Sequence, residues 1–178
     1  ARVAVPLAVE QKPATVRGAG DVFQIMPLFS GGDMMEETIR RACQGSHTAL
    51  PEAEARVVIR NVLTATRFLH GLGWAHQDIK LDNMFISPQG VVLGDFGLVH
   101  TADEVRPNYR PPRRHDRGLV NFYPPELYVA APFQPRKFDS WSIGAVLYAM
   151  LRASGVTVRR GALHKPFDME PFSCECRD

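Results

Sequence analysis

The sequence predicts an α+β fold in which helices carry most of the chain. Two stretches, starting near Pro51 and near Asp139, place apolar residues at helical spacing. Short apolar runs bounded by Gly, Pro and Ser, at residues 22–26, 84–86 and 91–93, read as strands, and the last two are joined as a hairpin. At 178 residues and 45% hydrophobic, the chain can bury one sizeable core, so a single core is expected.

In chain order, residues 16–29 read as a Gly-broken hairpin whose second strand, 22–26, stops at Pro27, followed by a short hinge. Asp33, Glu36 and Glu37 favour a helix start through the macrodipole, and Gly45 ends that helix. The next helix opens at Pro51 with Glu52 and Glu54 in its first turn. It carries Val58, Val62, Ala65 and Leu69 at helical spacing and closes at Gly71 and Gly73. Met84, Phe85 and Ile86, the turn Ser87-Pro88-Gln89-Gly90, and Val91, Val92 and Leu93 form the hairpin. Residues 94–135 are polar and rich in Pro and Arg, and read as one long functional loop. The last helix is expected to start near Asp139 or Ser140 as a cap, to present Ile143, Leu147 and Met150 on one face, and to end at Gly155.

Composition excludes several classes. A net charge of +2 gives no argument for nucleic acid or a membrane surface as partner. Cys43, Cys174 and Cys176 are odd in number and form no pair of CxxC motifs, so reduced thiols are expected rather than a disulfide framework or a zinc site. No apolar run approaches the roughly 20 residues of a membrane-spanning helix, and the first ten residues lack the plan of a signal peptide. A start at Ala1 reads as a fragment or processed product.

The hairpin carries the chemistry. Asn83 lies just before its first strand and Asp95 just after its second, so strand pairing brings an amide oxygen and a carboxylate to one end. Such hard oxygen donors suit Mg²⁺, which is held by one or two protein oxygens plus substrate phosphates. Asp78 lies within reach as a base for an attacking hydroxyl, and Lys80 can project beside it to offset phosphoryl charge.

The run His76-Gln77-Asp78-Ile79-Lys80-Leu81-Asp82-Asn83 resembles the catalytic loop of eukaryotic-type protein kinases, and Asp95-Phe96-Gly97 resembles their DFG motif. Pro124-Pro125-Glu126 looks like the APE motif, Asp139-Ser140-Trp141-Ser142-Ile143-Gly144 like the start of the long buried helix, and Lys165-Pro166-Phe167 like the element after it. The resemblance covers roughly residues 16–170. It implies a protein-kinase-like fold, with residues 1–29 the end of the N-lobe and residues 30–178 an incomplete, mostly helical C-lobe. A narrower resemblance, to the apicomplexan rhoptry kinases, rests on Ser46-His47-Thr48-Ala49-Leu50, on Gly73-Trp74-Ala75-His76-Gln77-Asp78 and on Pro124-Pro125-Glu126-Leu127.

Carried over by position, the resemblance implies an ATP- and Mg²⁺-dependent transfer of the γ-phosphate to a protein Ser/Thr hydroxyl. Asp78 is the base and Lys80 the γ-phosphate contact. Asn83 and Asp95 hold the metal. Met26, Leu28, Asp33 and Phe85 line the nucleotide site, Met26 as gatekeeper, Asp33 near the ribose and Phe85 beneath the purine. Plainer readings stand beside these: Asp33 as a helix cap, Met26 and Phe85 as core, His76 as a packed histidine, Asp139 as a structural acceptor for the catalytic-loop backbone. The competing function is a pseudokinase or scaffold that binds partner proteins through the same fold. Location is expected to be cytoplasmic by default, or that of a secreted effector in a host cell if the rhoptry resemblance holds.

Three departures qualify the resemblance. Gln77 replaces the usual Arg of the HRD motif, which pairs with a phosphorylated residue, so activity independent of such a phosphosite at Thr101 or Tyr109 is expected. Leu119 stands where many Ser/Thr kinases carry a Thr that bonds the catalytic Asp and Lys. No Gly-rich loop or strand lysine precedes the hinge, and Lys12, in a turn-like context, is not a substitute; the chain by itself is therefore expected to be nearly inactive. Arg106, Arg110, Arg113, Arg114 and Arg117 read as a solvated loop, or alternatively as an attraction for acidic substrate.

Overall fold

A computed structural model describes residues 3–4, 8–11, 22–43, 50–103, 122–127, 132 and 134–151, and the architecture is that of these residues. Strand β1 (Ala8–Gln11) pairs antiparallel with β2 (Val22–Ile25), Ala8 opposite Ile25 and Gln11 opposite Val22. The sequence pattern places both strands inside residues 16–29. The observed partner instead comes from upstream, where four residues free of glycine offer a ladder that Gly18 and Gly20 would weaken.

After the hinge, α1 (Met34–Cys43) begins as its acidic first turn predicts. Asp33 is its cap: the Glu36 backbone N–H donates to Asp33 Oδ1 at 2.8 Å. Helix α2 (Glu52–Gly71) follows, with Pro51 preceding it and Ala55 N–H bonded to the Pro51 carbonyl. Its buried stripe is Ala55, Val58, Val62, Ala65, Thr66 and Leu69, and the chain turns away at Gly73, whose φ of +81° glycine adopts without strain.

A two-residue strand, β3 (Trp74–Ala75), comes next and pairs with β6 (His100–Thr101). Between them a 3₁₀ turn (Leu81–Asn83) leads into the hairpin of β4 (Met84–Ser87) and β5 (Gly90–Leu93), in the register Met84 opposite Leu93 and Ser87 opposite Gly90. Both hairpin edges are covered. The Ile86 N–H bonds the Gly32 carbonyl on one side, and the Ala4 N–H bonds the Leu93 carbonyl on the other. At Gly31 a Cβ would stand 2.7 Å from Ile86 Cγ2 and 2.8 Å from its carbonyl oxygen, so the close approach of hinge to β4 depends on glycine there.

Helix α3 (Pro135–Leu151) packs with β5 around α2, and together they bury Val62, Ala65, Met84, Leu93, Val146 and Met150. It starts four residues before the expected cap. Pro135, at a first-turn position where its missing N–H costs nothing, opens it, and the Gln134 carbonyl accepts the N–H groups of Lys137 and Phe138. Asp139 and Ser142 are thus interior helix residues, fully buried; Ser142 Oγ donates to the Phe122 carbonyl at 2.7 Å and ties the region of the 3₁₀ turn Pro125–Leu127 to α3. The span read as one loop therefore contains β6 and this turn. Of the expected face, Ile143 and Met150 are buried and Leu147 half-buried.

Among the described residues, no helix is long and apolar enough to cross a membrane. The readings at Lys12, residues 44–49, Arg106, Tyr109, Arg110, Arg113, Arg114, Arg117, Leu119, Gly155, residues 165–167, Cys174 and Cys176 lie outside the described residues.

Candidate active site

Asp139 organises the loop that carries Asp78. From the interior of α3 its carboxylate accepts the backbone N–H of His76 on Oδ2 at 2.9 Å and that of Gln77 on Oδ1 at 2.8 Å. This agrees with the structural role read for Asp139. Gln77 is held at φ +61°, a left-handed conformation that costs a non-glycine residue about 1 kcal/mol or more and persists only where its surroundings fix it.

His76 is fully buried and bonded through both ring nitrogens. Nδ1 accepts the Asp78 N–H at 3.2 Å, which assigns the proton to Nε2, and Nε2 donates to the Gly94 carbonyl at 3.0 Å. Burial pulls its pKa below the usual histidine value, so the ring is neutral at physiological pH. Its ring meets Phe96 in a tilted contact, with centroids 5.2 Å apart. His76 is the packed histidine of the plainer reading, and it joins the loop carrying Asp78 to the segment carrying Asp95.

The turn delivers Asp78, Lys80 and Asn83 to one place. Lys80 Nζ donates to Asp78 Oδ2 at 2.7 Å. Asn83 Nδ2 donates to the same oxygen at 2.9 Å and to the Asp78 carbonyl at 2.8 Å. All three residues are buried. With its Nδ2 directed inward, Asn83 keeps Oδ1 uncommitted among the described residues, and Asp78 likewise keeps its own Oδ1.

Hairpin pairing brings Asp95 alongside, as the sequence requires. The Gly94 N–H bonds the Asn83 carbonyl at 2.9 Å, one step beyond the Met84–Leu93 pair, and Asp95 follows at φ +58° with its side chain exposed. Asp95 Oδ1 accepts the Gly97 N–H at 3.2 Å, and Oδ2 has no hydrogen bond among the described residues. An amide oxygen and a carboxylate oxygen at the mouth of a buried polar cluster are a donor set that fits Mg²⁺. A further carboxylate, that of Asp82, has its pKa raised by burial, and its Oδ2 has no hydrogen-bond partner among the described residues.

The predicted nucleotide-lining residues separate into two pairs. Asp33 and Phe85 are joined by an antiparallel bridge, while Met26 and Leu28 are exposed, Leu28 at 94%. Asp33 spends one carboxylate oxygen on capping α1 and retains the other. Sequence reasoning places Phe29 at the end of the Met26–Phe29 hinge but misses the role of its ring, which stacks on Phe85 at 5.2 Å with planes 5° apart. A Cβ on Gly94 would stand 2.6 Å from the Phe85 ring, which fixes the height of that ring over the start of the Asp95 segment. A cavity of about 580 Å³ lies elsewhere, between α2 and α3, and none of the predicted site residues lines it.

Comparison with known proteins gives one consistent result. The family model described as protein kinase domain matches residues 15–163. Testis-specific serine/threonine-protein kinase 3 of Mus musculus is 33% identical over 135 residues, covering 76% of this chain and 47% of that protein. The protein of the same name from Homo sapiens matches to the same extent. The hormonally up-regulated neu tumor-associated kinase of Mus musculus is 34% identical over 152 residues, 85% of this chain and 19% of that protein. The chain thus spans less than half the length of these curated relatives.

Proposed function

Since this chain belongs to the protein kinase family, we propose that it carries the catalytic residues of a protein kinase that transfers the ATP γ-phosphate to a Ser or Thr hydroxyl. The observation that carries the proposal is the buried triplet of Asp78, Lys80 and Asn83 beside Asp95. Ser/Thr specificity is supported by the similarity to a relative named as a serine/threonine-protein kinase, and by Lys80, the residue that Ser/Thr kinases resembling this chain carry there.

In this reading Asp78 Oδ1 receives the substrate hydroxyl and takes its proton as the oxygen attacks phosphorus. Lys80, held in place by Asp78 Oδ2, presents positive charge to the transferring phosphoryl group. Asn83 Oδ1 and Asp95 Oδ2 would hold Mg²⁺, which when bound neutralises charge on the β- and γ-phosphates. Phe85, stacked on Phe29, would support the purine, with Asp33 near the ribose and Met26 and Leu28 in the hinge. This assignment makes residues 1–29 the end of an N-lobe and residues 30–178 a C-lobe. The narrower kinship with rhoptry kinases rests on the three short stretches quoted above, and a secreted effector role would follow from it.

Phosphotransfer by the full-length protein compared with its Asp78→Asn variant tests the proposal. Loss of about a hundredfold or more in kcat is expected for a missing base. Equal activity in both would instead favour a pseudokinase that binds partners through the fold.

A further inference from the structure

Asp139 receives a third hydrogen bond that the catalytic loop does not supply. His70, in the last turn of α2, places Nε2 2.7 Å from Asp139 Oδ2, the oxygen that also accepts the His76 N–H. Both Asp139 oxygens accept backbone N–H groups, so the carboxylate is the acceptor and His70 Nε2–H the donor. The Asp139 side chain is wholly buried, whereas 17% of the His70 side chain remains exposed. His70 is therefore the member of this network that reaches solvent.

We infer that His70 is a positioning residue for the phosphotransfer site, acting through Asp139. Two N–H groups from adjacent residues of one turn hold the carboxylate plane only as firmly as that turn is itself held. A third donor, approaching from a different helix, ties Asp139 to α2 independently of the turn and fixes the plane that the His76 and Gln77 amides must meet. Those two amides hold Gln77 in its left-handed conformation, and the next residue is Asp78. Loss of the His70 donor thus loosens the turn one residue before the base, without touching Lys80, Asn83 or Asp95.

The inference rests on the functional reading above, and two readouts keep their failures apart. In the full-length protein, His70→Phe removes the donor and retains a ring of similar size; His70→Gln retains a donor at nearly the position of Nε2. For His70→Phe, kcat is expected to fall about tenfold with KM for ATP within about twofold, and His70→Gln to restore kcat to within about threefold of the original, the scale of one hydrogen bond to a charged group. Amide hydrogen exchange at His76 and Gln77 is expected to quicken about tenfold in His70→Phe and to stay unchanged in His70→Gln, with amides in the middle of α2 unaffected. Unchanged exchange at His76 and Gln77 in His70→Phe would overturn the inference. So would exchange that quickens uniformly across α2 in both variants, which would make His70 a packing residue. If the unsubstituted protein transfers no phosphate, the proposed function fails, while the exchange result still decides whether His70 positions the loop.

Discussion

Lys80 Nζ lies 2.7 Å from Asp78 Oδ2 in a pair whose side chains are each less than one-tenth exposed. Removing one partner leaves the other charge buried. Lys80→Met is therefore expected to lower unfolding stability by about 3 kcal/mol, and adding Asp78→Asn to recover part of that loss, because a neutral pair replaces a stranded carboxylate. On the proposed function, phosphotransfer is expected to be lost in both variants. Denaturant unfolding of the two single variants and the double variant measures the coupling, and a double variant no more stable than Lys80→Met would contradict it.

Gln77 buries an amide whose oxygen and nitrogen have no hydrogen-bond partner among the described residues. Leaving such groups unmatched costs roughly 1–3 kcal/mol. Gln77→Met, similar in shape, is expected to raise stability by about 1 kcal/mol and to leave kcat within about twofold. A drop in stability on thermal unfolding would mean that the amide is satisfied by residues beyond those described.

The same residue bears on regulation. Gln77 cannot form the charge-assisted bonds by which an arginine there would hold a phosphorylated residue. Phosphotransfer by the Thr101→Ala, Tyr109→Phe double variant is expected to match the unsubstituted protein, and a fall of more than about tenfold would refute independence from such a switch.

Glu37 provides a pH dependence. The Arg40 guanidinium, with help from Arg41, holds its pKa at about 2, against an ordinary 4.5. A depressed carboxylate pKa stabilises the fold above the unfolded value and loses that contribution as pH falls through the folded one, so the window is pH 4.5 to 2. Because Arg40 is 54% exposed, the contribution is expected to be no more than about 1 kcal/mol and to shrink in high salt. Comparing unfolding of Glu37→Gln with the unsubstituted protein at pH 6 and pH 2.5 checks this. The gap should close at the lower pH.

Gly31→Ala should force the hinge away from β4, since the new methyl meets the Ile86 backbone as well as its side chain. A loss of about 1–3 kcal/mol is expected, together with weaker nucleotide binding. Wild-type stability in this variant would show that the hinge can shift freely.

What can be read from the sequence is what local spacing determines. The β4–β5 hairpin follows from two apolar runs and a four-residue turn, and its pairing alone puts Asn83 beside the Asp95 segment. Helix α2 and its buried stripe follow from period and punctuation. Most of the misses are non-local, and nothing in residues 16–29 says that Val22 pairs with Gln11. The start of α3 is different: Pro135 carries the same local signal as Pro51, a proline at a first-turn position, but Asp139 competes with it as a cap. His70 lies 69 residues from Asp139, so its role exists only in the folded chain. Phe29 can be suspected as an aromatic residue at the end of a hinge opposite Phe85, but register across the Gly32–Ile86 bond decides it.

The bond from Gln77 to Asp139 spans 62 residues, whereas Asn83 and Asp95 are joined by one hairpin of about a dozen. Closing the longer loop costs about 1.5 kcal/mol more chain entropy. The two parts of the site should therefore form at different times during folding. The end formed by Asn83 and Asp95 is a local structure available early, and Asp78 reaches its final orientation only when α3 docks. Pulse-labelled exchange during refolding should find β4 and β5 amides protected before those of His76 and Gln77. A nascent chain that has emerged past Asp95 but not yet to Asp139 would hold the Asn83–Asp95 half of the candidate site and an unanchored Asp78.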